Sequence, residues 1–555
     1  MSAGAQQSAS GERERSPRAE CVPARSIAVS HPRDRVCTML AIVGIALITI
    51  RRWALVGPFP PGLDGAQWLA LGRGLDALSI GRSTEGAYAP LVPILAAITE
   101  PIVGPLSALC LLAAASGLAV SLAVWFVARA ALGPVWGLTV TAIVIPASAL
   151  AEPTLFGGYP QQFALAAAIV TLWAACRYLS ESSEFQSVRS LPTPVGATQA
   201  SPARSQRIAT GFQCRVPFPE VLSENRSLIT VSIAALVTAA AHHVYFPLLM
   251  LAILAAVGLW LTERSPRIDP ARVIGSLALA LAPALVLFAA VAFTFWRAGY
   301  GAPLGASARS VADAWTYGAR ESPQLWLVIL VVGVAGLVTR RRAVGDPAWL
   351  LAACLLAPAG LLFVFSGQPR LLPPILIGAD IAAGLFARRV AGIWPRAHAV
   401  TLLLGVAVAA ALLVPADRAT ARFADFYRVV DASLVRAAAA IESDGESGAV
   451  AVREDHRGWP IGWWFEALLD RPVIVGSDPR WLAFPGEREH ARQTEALFDG
   501  LLDAESFRQR ASASGVRYLV VAKWDWIGWE RWLTTPGFPV AELYDDDRYL
   551  VLRVT

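Results

Sequence analysis

The sequence predicts a polytopic α-helical membrane protein with about eleven spans, followed by a C-terminal extracytoplasmic α/β domain. Three observations carry this reading. Apolar side chains make up 55% of the 555 residues against 16% charged, and the mean hydropathy is +0.51, a balance with too little polar surface for a water-soluble fold. Apolar runs approaching the roughly 20 residues needed to cross a bilayer recur from Val36 to Val414. Arginines accumulate in alternate connections between those runs, as cytoplasmic loops require.

Residues 1–35 are rich in Ser, Gly, Pro, Arg and Glu without apolar periodicity, which predicts a disordered cytoplasmic tail. The first span begins at Val36 and continues to Val56, with Arg51 and Arg52 snorkelling at its outer end. Pro58, Pro60, Pro61, Gly62 and Gly65 then forbid a continuous helix. Trp68, Leu69, Leu71, Leu75 and Leu78 follow at amphipathic spacing, predicting a helix along the bilayer surface with Asp64 at its start. Pro90 to Ile98 is too short to span and reads as a second interfacial or re-entrant piece. Later spans are expected over 103–128, 135–150, 162–176, 228–241, 244–261, 273–293, 325–338, 349–365, 371–386 and 399–414, in a transmembrane domain of residues 36–415. Within it, 181–227 is Ser, Pro and Arg rich and reads as a flexible cytoplasmic linker.

With the N-terminus inside, Arg129, Arg177, Arg264, Arg340 and Arg388 all fall in cytoplasmic connections. The expected setting is a bacterial-type plasma membrane, crossed many times. An odd number of spans places residues 416–555 outside. There, apolar runs at Ala449–Val452, Pro472–Val475, Tyr518–Ala522 and Tyr549–Val554 alternate with helical stretches at Ala421–Ile441 and Glu487–Leu502, a small α/β domain. It has no Gly-rich strand-to-helix turn to support nucleotide binding. The net charge of +5 reflects loop arginines rather than a nucleic-acid surface. Cys21, Cys37, Cys110, Cys176, Cys214 and Cys354 lie in the tail, in spans or in cytoplasmic loops, and suggest neither a disulfide nor a metal site.

This topology puts the unusual polar residues on one side. Asp64 lies in the first outer loop and Glu152 in the second, within AEPTLFGGYPQQF; His242 and His243 end the fifth span, and Gln368 and Arg370 form the turn SGQPR. Ionisable residues near membrane depth are costly and mark function. Carboxylates and cations in one cleft beside lipid suit a lipid-linked phosphate donor, with an acid as base on an acceptor hydroxyl and Arg or His steadying the departing phosphate. Outer-loop arginines, Arg73, Arg82, Arg297, Arg309, Arg320 and Arg370, are candidates for anionic ligands. Each residue also has a structural alternative: Asp64 as a helix cap, Glu152 before Pro153 as a span terminator, the histidines as an interfacial hydrogen-bonding pair, the arginines as snorkels.

Asp64 in GLDGAQWLALGRGL, the following AYAPLVPIL, Glu152 in the second outer loop and an external C-terminal domain resemble the GT-C glycosyltransferases. These membrane enzymes take sugars from polyprenyl-phosphate or polyprenyl-diphosphate donors and include protein mannosyltransferases, aminoarabinose transferases and the oligosaccharyltransferase catalytic subunit. The resemblance implies that Asp64 is the base or a metal-associated acid, and that Glu152 is a second acid able, with Asp64, to hold a divalent metal. Pro153 and Thr154 break the paired acid that the family often carries there. GWWFEALLDRPVIVGSD, Gly462 to Asp478, is similar to the Trp-Trp-Asp-Tyr-Gly region of oligosaccharyltransferases, with Phe465 where that motif has Asp; the alternative is a helix packing Trp463, Trp464 and Leu468 onto the small domain.

The expected activity is transfer of a sugar from a polyprenyl-phosphate-linked donor to an acceptor hydroxyl at the outer face, with His242, His243, Arg297, Gln368 and Arg370 on the donor phosphate. A transporter or lipid flippase using the same cavity, or a non-catalytic cell-envelope scaffold, are the alternatives of another class.

Overall fold

The computed structural model describes residues 32–76, 88–189, 219–263, 269–301, 310–339, 346–393, 395–523 and 528–555. The N-terminal tail to residue 31, Leu78, Arg82, Arg309 and most of the 181–227 linker lie outside them. The helical part runs α1 (Pro32–Val56), α2 (Gly65–Asp76), α3 (Leu91–Val103), α4 (Pro105–Leu132), α5 (Pro134–Val144), α6 (Ser148–Phe156), α7 (Tyr159–Arg189), α8 (Pro219–Ala241), α9 (Tyr245–Glu263), α10 (Pro270–Arg297), α11 (Val311–Gly318), α12 (Pro323–Val338), α13 (Pro347–Ser366), α14 (Leu372–Ile393) and α15 (Pro395–Phe426). Among the described residues eight helices are long and apolar enough to cross a membrane, or ten if the bent pairs α5–α6 and α11–α12 each count as one span. Proline at the start of α4, α5, α10, α12 and α13 suits a first turn whose amides need no intrahelical partner. Both ends of the expected linker are helical, since α7 continues to Arg189 and α8 starts at Pro219.

The run 135–150 is not one straight helix. It breaks at Ile145–Ala147 and turns by 57° between α5 and α6, because Pro146 cannot donate to the ladder. The freed carbonyl of Ile145 accepts from the Arg52 guanidinium at 2.5 Å. Arg52 therefore does not snorkel to water. It satisfies a broken span from within the protein, the alternative being an unpaired carbonyl at membrane depth. Its neighbour Arg51 pairs with Asp417 on α15.

The C-terminal part contains α16 (Ala432–Asp444), β1 (Ala449–Val452), α17 (Gly462–Leu468), β2 (Val473–Val475), α18 (Pro485–Leu497), α19 (Ala504–Ala513), β3 (Val516–Ala522), α20 (Trp529–Thr534), β4 (Val540–Asp545) and β5 (Tyr549–Val554). Helix is absent at 428–431, so the expected stretch 421–441 is the end of α15 and most of α16. The sheet order is β2-β1-β3-β5-β4; β1 is parallel to β2 and β3, and β5 is antiparallel to β3 and β4. Side chains alternate across it. Val450, Val452, Tyr518, Val520 and Val551 face α16 and α17, while Ala451, Leu519, Val521, Leu550 and Leu552 face the cluster of Leu497, Phe498, Phe507 and Trp532.

The first of these cores does not end at the small domain. It continues through Trp464 and Phe465 into Leu63, Ala66, Trp68 and Leu69, and on to Val92 and Leu109. Helix α2 is thus packed between α3, α4 and the small domain, and its apolar residues Trp68 and Leu69 are buried rather than spread on lipid.

Candidate active site

Asp64 owes its position to a clasp between the α1–α2 and α6–α7 connections. The amides of Leu63 and Asp64 both donate to the Phe156 carbonyl, at 3.0 and 3.1 Å. Such close backbone approach requires glycine. Gly62 has φ +98°, and a Cβ there would lie 2.2 Å from the Phe156 carbonyl carbon; Gly157 has φ +99°, and its Cβ would lie 2.5 Å from the Gly65 nitrogen. Three buried side chains lock the clasp. Trp68 Nε1 donates to Gly157 O at 2.6 Å, Tyr159 Oη to Pro61 O at 3.0 Å, and Trp464 Nε1 to Gly62 O at 3.2 Å.

The clasp opens onto a cavity of about 380 Å³. Asp64, Glu152, His242, His243, Gln368 and Arg370 all line it. Arg297 does not: it is exposed at the last turn of α10, where Phe295, two residues earlier and on the other side of the helix, takes the inward position. Arg73 is also engaged elsewhere, in an ion pair with Glu100 that ties α2 to α3.

Burial raises the Asp64 carboxyl from 3.8 to about 7; the Arg370 cation opposes the rise and Glu487 adds to it. The histidines lie outside α8, which ends at Ala241, so they are free to stack: their rings are 4.8 Å apart and 10° from parallel. Burial and the nearby Arg370 push His243 down to about 4, and burial, His243 and Arg370 push His242 well below the usual imidazole range. Both rings are neutral at pH 7. His242 Nδ1 accepts from Val244 N at 3.1 Å, whereas His243 Nδ1 is buried without a hydrogen-bond partner. Arg370 sits in a single 3₁₀ turn at the head of α14, its carbonyl fixed by the Tyr245 hydroxyl at 2.7 Å. Its guanidinium makes no salt bridge or side-chain hydrogen bond among the described residues.

Glu152 is buried on α6 and accepts from the Tyr427 hydroxyl at 2.8 Å; Tyr427 in turn lies 2.7 Å from the Tyr317 hydroxyl. Among the described residues no three His, Cys, Asp or Glu side chains come together as metal ligands. Asp64 and Glu152 line one cavity, and these two carboxylates would be the protein ligands of an ion that keeps several waters and takes its other oxygens from a substrate phosphate.

Apart from Trp463, the opposite wall comes from residues that the sequence does not single out. Tyr88, Phe295 and Tyr300 pack around the histidines, and the small domain adds Trp463, Trp481, Phe484 and Glu487. Glu487 is held by the amides of Ala483 and Phe484 as the first-turn acid of α18. The Trp pair divides its work: Trp464 is fully buried in the shared core, and Trp463 lines the cavity.

In its overall fold the chain is similar to solved membrane glycosyltransferases of the GT-C type. Solved structures with this fold include ArnT from Cupriavidus metallidurans bound to undecaprenyl phosphate, with TM-score 0.54 and 14% identity over 92% of this chain and 97% of that one. Arabinofuranosyltransferase AftD from Mycobacteria matches with TM-score 0.57 and 14% identity over 94% of this chain, which spans 40% of that protein. Oligosaccharyltransferase AglB from Archaeoglobus fulgidus, in complex with an inhibitory peptide and a dolichol-phosphate, matches with TM-score 0.51 and 11% identity over 88% of this chain and 70% of that one. No protein-family model matches the chain, and no curated protein matches it in sequence.

Proposed function

We propose that the protein transfers a glycosyl group from a polyprenyl-phosphate donor to an acceptor hydroxyl at the extracytoplasmic membrane face. One observation carries this reading: a single cavity holds a carboxyl that titrates near neutrality, Asp64, together with a cation, Arg370, that forms no salt bridge among the described residues. A general base works best when its pKa lies near the operating pH, and a guanidinium lacking a salt bridge in a half-buried site suits a phosphate. The likeness to ArnT and AglB, structures that contain polyprenyl phosphates, supports a donor of the same chemistry.

In the reaction the acceptor oxygen attacks the anomeric carbon while the bond from that carbon to the phosphate oxygen breaks. Asp64 takes the acceptor proton, and polyprenyl phosphate leaves with the bonding electron pair. Arg370 carries the charge that develops on the leaving phosphate, and the neutral histidines and Gln368 add hydrogen bonds. The aromatic wall of Tyr88, Phe295, Tyr300 and Phe484 supplies flat apolar surfaces for a sugar ring.

The test is to give the full-length protein, in lipid nanodiscs, a panel of radiolabelled polyprenyl-phosphate sugars with a membrane-depleted cell-envelope extract as acceptor. Label moving from the lipid to a water-soluble product, with release of free polyprenyl phosphate, supports the reading. Donor that is bound but never cleaved across the panel overturns it.

A further inference from the structure

Behind the Tyr317–Tyr427 hydroxyl pair lies a second, outward-facing groove of about 590 Å³, lined by Tyr317, Arg320, Ala421, Arg422, Phe423, Asp425 and Phe426. Tyr317 lines both this groove and the cavity that holds Asp64 and Glu152. We infer that the groove binds the acceptor, and that the acceptor is a neutral oligosaccharide; this rests on the transferase reading above and adds the acceptor's chemical class.

Three features of the groove select that class. Its exposed ring is Phe426, 50% exposed, beside the half-buried Tyr317, which Phe423, only 2% exposed, backs edge to face at 5.9 Å. Aromatic faces of this kind cover the C–H faces of sugars. Its charges are arranged to hydrogen-bond rather than to attract a net charge. Glu321, a non-glycine residue at φ +81°, pairs with Arg422 and lies 3.9 Å from Arg320. Asp425 adds a second carboxylate, exposed and outside any salt bridge among the described residues. The lining holds Arg320, Arg422 and Asp425, and Glu321, just outside it, offsets the remaining positive charge; this balance disfavours an anionic lipid headgroup and leaves donors and acceptors for hydroxyl groups. The third feature is position. Tyr317 is the residue that the groove shares with the cavity of Asp64, and its hydroxyl lies beside the Tyr427 hydroxyl that donates to Glu152.

The experiment compares the full-length wild type with Ala421→Trp, which fills the groove, and Asp425→Asn, which keeps its shape. Each protein, in nanodiscs, is applied to a printed array of neutral hexose and pentose oligosaccharides, uronate-bearing oligosaccharides and anionic phospholipid spots. Capture of radiolabelled undecaprenyl phosphate is measured in parallel. Retention of neutral oligosaccharides by the wild type, weakened about tenfold in both variants with undecaprenyl phosphate capture unchanged, supports the inference. It stands on that result even if no donor is ever turned over, so failure of the catalytic reading is read separately. Equal retention by all three proteins, preference for the anionic spots, or no oligosaccharide retained by the wild type overturns it.

Discussion

Replacing Asp64 by Asn should abolish transfer and at the same time stabilise the fold. The carboxyl ionises at about 7 in the folded protein against 3.8 when free, chiefly because burial penalises its charge. At about 1.36 kcal/mol per pH unit, that difference corresponds to about 4 kcal/mol; water in the adjoining cavity reduces it, so the figure is a ceiling. The sign follows from proton uptake. Between pH 4 and 7 the folded state keeps a proton that the unfolded chain has lost, so wild-type stability falls with rising pH across that window and then levels off. An amide carries no charge to desolvate, so Asp64→Asn should melt with wild type near pH 4 and above it at pH 8. The buried thiols of Cys37, Cys110, Cys176 and Cys354 provide the probe, since a thiol-reactive fluorophore reports their exposure on heating. Transfer should fall by roughly 10²- to 10⁴-fold, the usual contribution of a general base. A variant that keeps wild-type turnover, or that melts no higher than wild type at pH 8, refutes the assignment of Asp64 as a half-buried base whose charge the fold penalises.

Other consequences can be measured in the same preparation. Arg370→Ala should weaken capture of undecaprenyl phosphate roughly 10- to 100-fold, the loss of one or two charge-assisted hydrogen bonds. In the wild type that capture should tighten as pH falls from 7 to 5, because a bound phosphate raises the His243 pKa from about 4 and the complex then takes up a proton. Tyr427→Phe removes the donor to Glu152 and should lower kcat while leaving the KM for donor lipid unchanged. Gly157→Ala forces a Cβ against Gly65 and should lower the melting temperature along with activity, by about 1–3 kcal/mol of backbone strain.

Most of the polar cluster was legible in the sequence because a polar residue among apolar spans stands out at once. Asp64, Glu152, both histidines, Gln368 and Arg370 are all such residues, and the cavity collects them. Arg297 shows where that signal fails. Its place at the end of an apolar run is visible in sequence, but whether the helix turns it inward depends on Phe295 and Phe484 packing beside it. Glu487, Trp481 and Phe484 carried no mark, being ordinary in a half-polar domain, and reach the site only through long-range packing. Local chemistry also set the limits on the fold. The break in 135–150 could be suspected from Pro146, but its stabilisation by Arg52, 93 positions earlier, could not. Strand β4 escaped notice because an edge strand reading VAELYD lacks the continuous apolar run of the central ones.

The shared core under α2 also bears on how the protein comes into being. A ribosome releases the Asp64 loop long before the strand Tyr549–Val554, yet that strand sits between β3 and β4 and carries Tyr549 and Val551 into the packing that reaches Leu63 and Trp68. A nascent or truncated chain can insert every hydrophobic helix and still leave its carboxylate loose. The packing around Asp64 is therefore complete only once that strand has been made and has joined the sheet.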